Sequence, residues 1–314
     1  MPKQYYINQL EKGLAISDEP FGIGAIKKGT DRNNNPYLDL ELVDRTGMIK
    51  AKIWSDNLER IPSKLLQEGT IVKVSGLVGE FNGNLQMTIN GLSKYEEKDL
   101  SDFLPVTKAS IDDMWKKMTT RVENMNDQKY KTLLQKLFAL HEEKIRLAPA
   151  AKNIHHNYVG GLLEHVTEMM DIAETVMKLY PEADPDLVFT GIIFHDIGKI
   201  YELEIEGFVI DYSKVGKMIG HIALGIRMLD QLDKDILEEE QRMLLEHIIL
   251  SHHSILEYGS PVVPKTIEAM IVAKVDDLSS KVRTVQKVLS DNAENDKAFS
   301  AREYAIGSEV YLGK

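Results

Sequence analysis

The chain of 314 residues contains no cysteine. That absence excludes a disulfide framework and a thiolate metal site, so any bound ion must be held by His, Asp, Glu or water. It also removes a cysteine nucleophile, and no Gly-x-Ser-x-Gly elbow supplies a serine one. No uninterrupted apolar run is long enough to cross a bilayer. The segment Met1-Pro2-Lys3-Gln4-Tyr5-Tyr6-Ile7-Asn8 has no apolar core of a signal peptide, so the expectation is a cytoplasmic protein with no membrane partner. Cations are in deficit, 38 Lys and Arg against 49 Asp and Glu, a formal net charge of −11. A field of that sign argues against a protein that coats nucleic acid over its whole surface.

The deficit is not uniform. Between Phe21 and Leu92 nine Lys and Arg stand against eight Asp and Glu, so the acidity lies elsewhere. In this stretch the apolar period is two. Leu38, Leu40 and Leu42 alternate with Tyr37, Asp39 and Glu41, and Ile49, Ala51 and Ile53 with Lys50, Lys52 and Trp54. Half-buried strands read this way, and Asp44-Arg45-Thr46-Gly47 turns one into the next. Gly22 to Lys28 reads as a first strand, Asn57 to Gln67 as a helix, and Ile71 to Val78 and Leu85 to Ile89 as two more strands turned at Asn82-Gly83. Five strands with a helix between the third and fourth is the order of a small Greek-key barrel.

The runs Pro36-Tyr37-Leu38-Asp39-Leu40-Glu41-Leu42-Val43-Asp44-Arg45-Thr46-Gly47-Met48-Ile49 and Gly76-Leu77-Val78-Gly79-Glu80-Phe81-Asn82-Gly83 resemble the OB-folds related to anticodon-binding domains of some aminoacyl-tRNA synthetases. In such folds the second and third strands and neighbouring loops face single-stranded nucleic acid. The corresponding residues are Tyr37, Lys50, Lys52 and Trp54, with Lys27, Lys28 and Arg32 in the first loop and Phe81 at the last hairpin. Each has a plainer reading: lysines in alternation are the wet side of a strand, and Trp54 could pack against a neighbouring domain. Phe21 is a weaker stacking candidate. An OB-fold can also dock protein.

Ser93 to Thr107 shows no period and marks a join. The expected boundaries are a barrel over 13–92, a linker over 93–109, a helical domain over 110–290 and a tail over 291–314, giving an α+β multidomain protein with an all-α second part. Ser110-Ile111-Asp112-Asp113 opens a helix. The helices from Asp112 to Asn126 and Gln128 to His141 carry apolar stripes, which suggest packing arms or a homo-oligomer surface.

Eight of the nine histidines fall between His155 and His253, on segments that are otherwise apolar helix. At the centre is Phe189-Thr190-Gly191-Ile192-Ile193-Phe194-His195-Asp196-Ile197-Gly198-Lys199. A ring nitrogen and a carboxylate side by side at the end of a buried helix can hold a metal ion between them, and such buried charge wants a partner. His165, His221, His252, His253 and Asp276 surround this motif in sequence order. Together they resemble the HD-domain metal-dependent phosphohydrolases over roughly residues 153–290.

That resemblance implies two ions. His165, His195, Asp196 and Asp276 would hold one, and Asp196 would bridge to a second held by His221 and by His252 or His253, with His252 favoured. A nitrogen and oxygen donor set suits Mn²⁺ first, with Co²⁺, Fe, Ni²⁺, Mg²⁺ and Zn²⁺ open. Two such ions lower the pKa of a bridging water and neutralise charge on a phosphoryl group under in-line attack. Asp196 and Lys199 are the catalytic candidates; Lys199 would bind a phosphate oxygen, or else merely cap its helix. His155 and His156 are candidates for substrate phosphate at the pocket mouth. His247 reads as a core or supporting residue and His141 as solvent-facing.

An OB-fold ahead of His-Asp-Ile-Gly-Lys, over residues 13 to about 290, resembles the YhaM family of bacterial 3′-to-5′ exoribonucleases. The resemblance implies that the barrel tracks single-stranded RNA, and single-stranded DNA as well, while the dimetal pocket releases nucleoside 5′-monophosphates. Two rivals remain: a phosphohydrolase of nucleotides or cyclic dinucleotides with a docking barrel, and a binding protein whose helical domain is an idle scaffold.

Overall fold

In the computed structural model the alternating third of the chain closes on itself. The structure describes residues 3–81, 83–96, 102–104, 106–152, 158–206, 209–293 and 297–313. Two compact units divide the chain, Met1–Val106 with Ile205–Ile210, and Thr107–Glu204 with Asp211–Lys314.

The first unit is a five-stranded barrel. Its strands are β1 (Ala15–Thr30), β2 (Pro36–Asp44), β3 (Gly47–Ile53), β4 (Ile71–Phe81) and β5 (Asn84–Lys94), with a one-turn α1 (Ser55–Leu58) after β3. The order around the barrel is β1-β2-β3-β5-β4, and the β3–β5 pair is parallel. Leu38, Leu40, Leu42, Ile49, Ala51 and Ile53 all point inward, as their period requires. Asn82, of the expected Asn82-Gly83 turn, lies outside the described residues.

Three expectations for this unit need correction. The first strand starts at Ala15, not Gly22, because two register shifts bend it between partners. Its first half pairs with β4 and its second with β2. The expected helix over 57–67 is only α1 and a 3₁₀ turn at Ser63–Leu65, since Pro62 can donate no helical hydrogen bond. Phe21 is fully buried, with the Lys3 ammonium 3.5 Å from its ring centroid, so no base can stack on it.

The second unit is helical: α2 (Ile111–Glu123), α3 (Gln128–Leu147), α4 (Gly161–Met177), α5 (Pro185–Phe194), the short α6 (Lys199–Glu202), α7 (Lys214–Ile219), α8 (His221–Asp233), α9 (Glu239–Ser251) and α10 (Ile267–Asp291). Between α6 and α7 runs a hairpin of β6 (Leu203–Glu206) and β7 (Val209–Tyr212), which four-residue alternations amid helical sequence did not reveal. Ser110 caps α2 by accepting a hydrogen bond from the Asp113 amide, as its position predicts. The apolar stripes of α2 and α3 belong to the unit's own core, where Met118, Val122, Leu133, Leu134 and Leu137 are buried. They therefore give no support to an oligomer surface. Among the described residues no helix is long and apolar enough to cross a membrane.

Candidate metal centre and nucleic-acid face

Helix ends converge on the candidate metal centre. His195 and His252 are the C-caps of α5 and α9. The last carbonyls of a helix have no intrahelical partner, and each ring turns back to one of them. His195 Nδ1 lies 2.7 Å from Ile192 O, and His252 Nδ1 lies 2.8 Å from Ile249 O. A carbonyl only accepts, so Nδ1 carries the proton in both rings and Nε2 is left with a lone pair. The first residue of α8, His221, follows Gly220 at φ 78° and sets Nδ1 3.1 Å from Glu202 Oε1. A carboxylate accepts too, which fixes the same tautomer there. His165, buried in α4, places Nδ1 3.1 Å from Ser279 Oγ.

The outward nitrogens form two groups about Asp196. His165, His195 and Asp276 offer donor atoms within 4.8 Å of one another, as do His221, His252 and His253. Asp196 stands between them. Its Oδ2 is 3.3 Å from His195 Nε2, and its Oδ1 is 3.4 Å from His221 Nε2 and 3.7 Å from His252 Nε2. In the first group His165 Nε2 is 3.2 Å from Asp276 Oδ1. Buried His195 Nε2, His221 Nε2, His252 Nε2 and Asp196 Oδ1 make no hydrogen bond. Buried polar atoms are seldom left so, and lone pairs aimed at common points fit divalent cations.

Electrostatics favours the same occupant. Burial drives His252 well below the usual imidazole range, helped by the neighbouring His195 and His253 rings, so it is a neutral donor. Burial also lowers His253. Burial opposes ionisation of Asp196, but Lys199, His195 and His221 outweigh it and hold the carboxyl well below its ordinary value. The same contest leaves Asp276 ionised through His165 and His195. His195 is lifted against burial by Asp196 and Asp276, the mark of a place where positive charge is wanted.

Gly198 explains the spelling of the central motif. A Cβ there would stand 2.0 Å from His221 O and 2.8 Å from Gly225 N, so α8 can approach the end of α5 only across a glycine. Lys199 Nζ lies 2.5 Å from Asp196 Oδ2 and stays largely buried, paired within the site rather than standing in solvent. A cavity of about 300 Å³ opens here, with Asp196, Lys199, His252, His253 and Asp276 among its lining. His155 and His156 lie outside the described residues.

Glu202 and Ser279 escaped sequence reasoning. Glu202 accepts both the amide and the Nδ1 proton of His221 from 19 residues away, a partnership no local pattern reports. Ser279 had a signal: it is three residues beyond Asp276 and so shares its helix face. The supporting role expected of His247 is taken with a loop, since its Nε2 accepts the Lys265 amide at 2.9 Å. His141 is half-buried, its Nδ1 3.5 Å from the Tyr201 hydroxyl, rather than solvent-facing.

On the barrel, one groove of about 300 Å³ brings together Lys27, Lys50, Lys52 and Phe81. Beside it Lys52 Nζ sits 3.7 Å from the Tyr37 ring centroid and 4.9 Å from that of Trp54, and the two rings are 5.6 Å apart. Trp54 and Phe81 are 41% and 64% exposed, enough to offer a face to a base. Lys28 and Arg32 are exposed but do not line the groove. Nor is the groove purely basic: Asp39 and Glu41 share it, and Asp39 pairs with Lys52 at 3.1 Å. Its attraction for a polyanion is therefore diluted, leaving more of the work to ring stacking.

Comparison with known families divides the chain in the same way. A model of an OB-fold nucleic acid binding domain matches residues 23–95, and an HD domain model matches residues 162–281. A third, described as a helicase, matches residues 102–181 and overlaps the HD match. Among solved structures, the second OB-fold domain of replication protein A from Methanococcus maripaludis is 22% identical over 30% of this chain and 97% of that one, with a TM-score of 0.25. RecG bound to a three-way DNA junction is 13% identical over 55% and 26%, with a TM-score of 0.26. Asparaginyl-tRNA synthetase from Pyrococcus horikoshii is 13% identical over 49% and 39%, with a TM-score of 0.24. The fold rests on the strand order and the two family matches: an OB-fold nucleic-acid-binding domain followed by an HD domain.

Proposed function

We propose that this chain is a metal-dependent 3′-to-5′ exoribonuclease that shortens single-stranded RNA, and single-stranded DNA as a second substrate, to nucleoside 5′-monophosphates. The observation that carries the reading is the pair of donor groups meeting across Asp196, on the same chain as an OB-fold with exposed rings and lysines. Residues 13–92 bind the strand in this reading and residues 110–290 cut it. His165, His195, Asp196 and Asp276 would hold one divalent ion, and Asp196, His221, His252 and His253 a second, with Mn²⁺ the first candidate. Such ions supply Lewis acidity toward a phosphoryl oxygen and acidify water.

The protein's own part is positional. Main-chain carbonyls and Glu202 fix the imidazole tautomers, so no ring has to reorient when an ion or substrate arrives. Lys199 keeps a positive charge beside Asp196, where negative charge develops on a phosphoryl group in transfer. The barrel rings accept any base, which makes the activity indifferent to sequence.

The cavity's volume of about 300 Å³ also suits a free nucleotide, the basis of a second reading as a small-molecule phosphohydrolase. Incubation with Mn²⁺ and 5′-labelled single-stranded RNA separates the two. The exonuclease yields a ladder that shortens from the 3′ end. Intact RNA beside hydrolysed nucleotide or cyclic dinucleotide reverses the choice.

A further inference from the structure

Residues 297–313 fold back on themselves after α10. Ser300 N donates to Val310 O at 2.9 Å, Leu312 N to Ala298 O at 2.8 Å and Glu303 N to Ser308 O at 2.9 Å. Gly307, at φ 73°, closes the turn by donating to Glu303 O at 2.8 Å. The Phe299 and Tyr311 rings brace the two arms against each other, their centroids 5.5 Å apart. Tyr304 takes no part in this bracing. It stands on the tip of the turn with 95% of its surface exposed. A turn needs no ring there, and an exposed ring loses the free energy that burial would return.

The place of that ring is informative. Tyr304 and Ala305 belong to the wall of the cavity whose other lining residues include Asp196, Lys199, His252 and Asp276. Asp276, Ser280 and Thr284 recur at intervals of four along α10, so they form one face of that helix, and all three line the same cavity. At 1.5 Å per residue that face runs about 12 Å along α10 from the candidate metal ligand Asp276 to the buried Thr284. The cavity is at the small end of ligand pockets, roughly 300–1,000 Å³, and so takes about one nucleotide unit. The hydroxyls of Ser280 and Thr284 donate to main-chain carbonyls of α10, which leaves the unburied phenol ring as the aromatic platform of this wall.

We propose that Tyr304 is a substrate-binding residue of the hydrolytic pocket, stacking on one of the two bases that flank the scissile phosphate. The inference rests on the nuclease reading above and deepens it: the pocket holds its own aromatic platform, distinct from the barrel's, so the end of the strand is gripped beside the bond to be cut. Recognition through a ring face favours no particular base.

The test uses the full-length protein loaded with Mn²⁺. KM and kcat are measured on single-stranded RNA and on the same oligonucleotide with an abasic residue at the terminal or the penultimate position. Tyr304→Ala is expected to raise KM on intact RNA by about 5- to 150-fold, the span of one base–aromatic stack. Tyr304→Phe, which keeps the ring, restores most of the loss. One abasic substrate abolishes the difference between wild type and Tyr304→Ala, and its abasic position identifies the stacked base. Unchanged KM in Tyr304→Ala with active wild type, or an equal loss on intact and both abasic substrates, overturns the inference alone. Wild-type protein inert toward single-stranded RNA and DNA instead removes the nuclease reading, and this inference with it.

Discussion

The Lys199 ammonium reaches back three residues to the Asp196 carboxylate, with 2.5 Å between Nζ and Oδ2. Burial works against the charge on Lys199, but Asp196 and Asp276 outweigh it and raise its pKa. The lysine is therefore favoured in its cationic form, and in the proposed reading it competes with a metal ion for the same oxygen.

From that competition follows a split outcome for Lys199→Met. Divalent-ion content should stay the same or rise, because a repelling charge is gone. Turnover of RNA should fall by about 10²–10³-fold, the typical effect of removing one donor to a developing oxyanion. Metal analysis beside a single-turnover assay checks both halves, and near-normal turnover would reduce Lys199 to a structural partner of Asp196.

Asp196→Asn should release both ions, since its two oxygens face different donor groups. His165→Ala, confined to one group, should cost one ion and spare the other. Elemental analysis of purified protein after dialysis reads the stoichiometry. Capture of single-stranded RNA by the barrel should survive in both variants, so loss of that capture would mean general unfolding.

Trp54→Ala should weaken binding of long single strands by about 1–3 kcal/mol and leave dinucleotides unaffected. The Lys52 ammonium lies near both the Trp54 and Tyr37 rings, so Tyr37→Ala should produce a smaller loss of the same kind. Fluorescence anisotropy with oligonucleotides of increasing length measures this. Equal losses at all lengths would instead indicate a packing role.

His247 gives the helical unit a pH response outside the two candidate ligand groups. Its Nε2 accepts the Lys265 amide, which only the neutral ring can do. Burial, and then the charge of Lys265, lowers its pKa from the ordinary value near 6.5. The unfolded chain therefore binds more protons in this window. The stabilisation is complete above the ordinary value and disappears as pH falls through the lowered one. Thermal melts between about pH 5 and 7.5 should show a steeper decline for wild type than for His247→Gln. Parallel curves would refute the assignment.

Much of this architecture was legible because its signals are periodic. Leu38, Leu40 and Leu42 alternate and are buried, while Lys50 and Trp54 occupy the opposite phase and are exposed. The candidate metal ligands were legible for another reason: a histidine in apolar sequence is costly unless it has a task, and several such residues recur in one region. The Glu202 contact was hidden because it depends on how α6 meets α8, which no window of sequence contains. The helix expected over Asn57 to Gln67 breaks at Pro62, where backbone chemistry overrides the apolar pattern around it. Tyr304 lies in a stretch without periodicity, and only its place in the cavity wall gives it meaning.

The rings of His195 and His252 hang from carbonyls in the last turns of α5 and α9, so in the proposed reading ion retention depends on the order of two helix tips. Fraying of a single turn would swing one donor away while the rest of the helical unit stayed intact. Cation loss should thus precede the main melting transition, making bound metal a sensitive gauge of local order. Packing changes beneath Ile192 or Ile249, both fully buried, would then register first as weakened cation affinity.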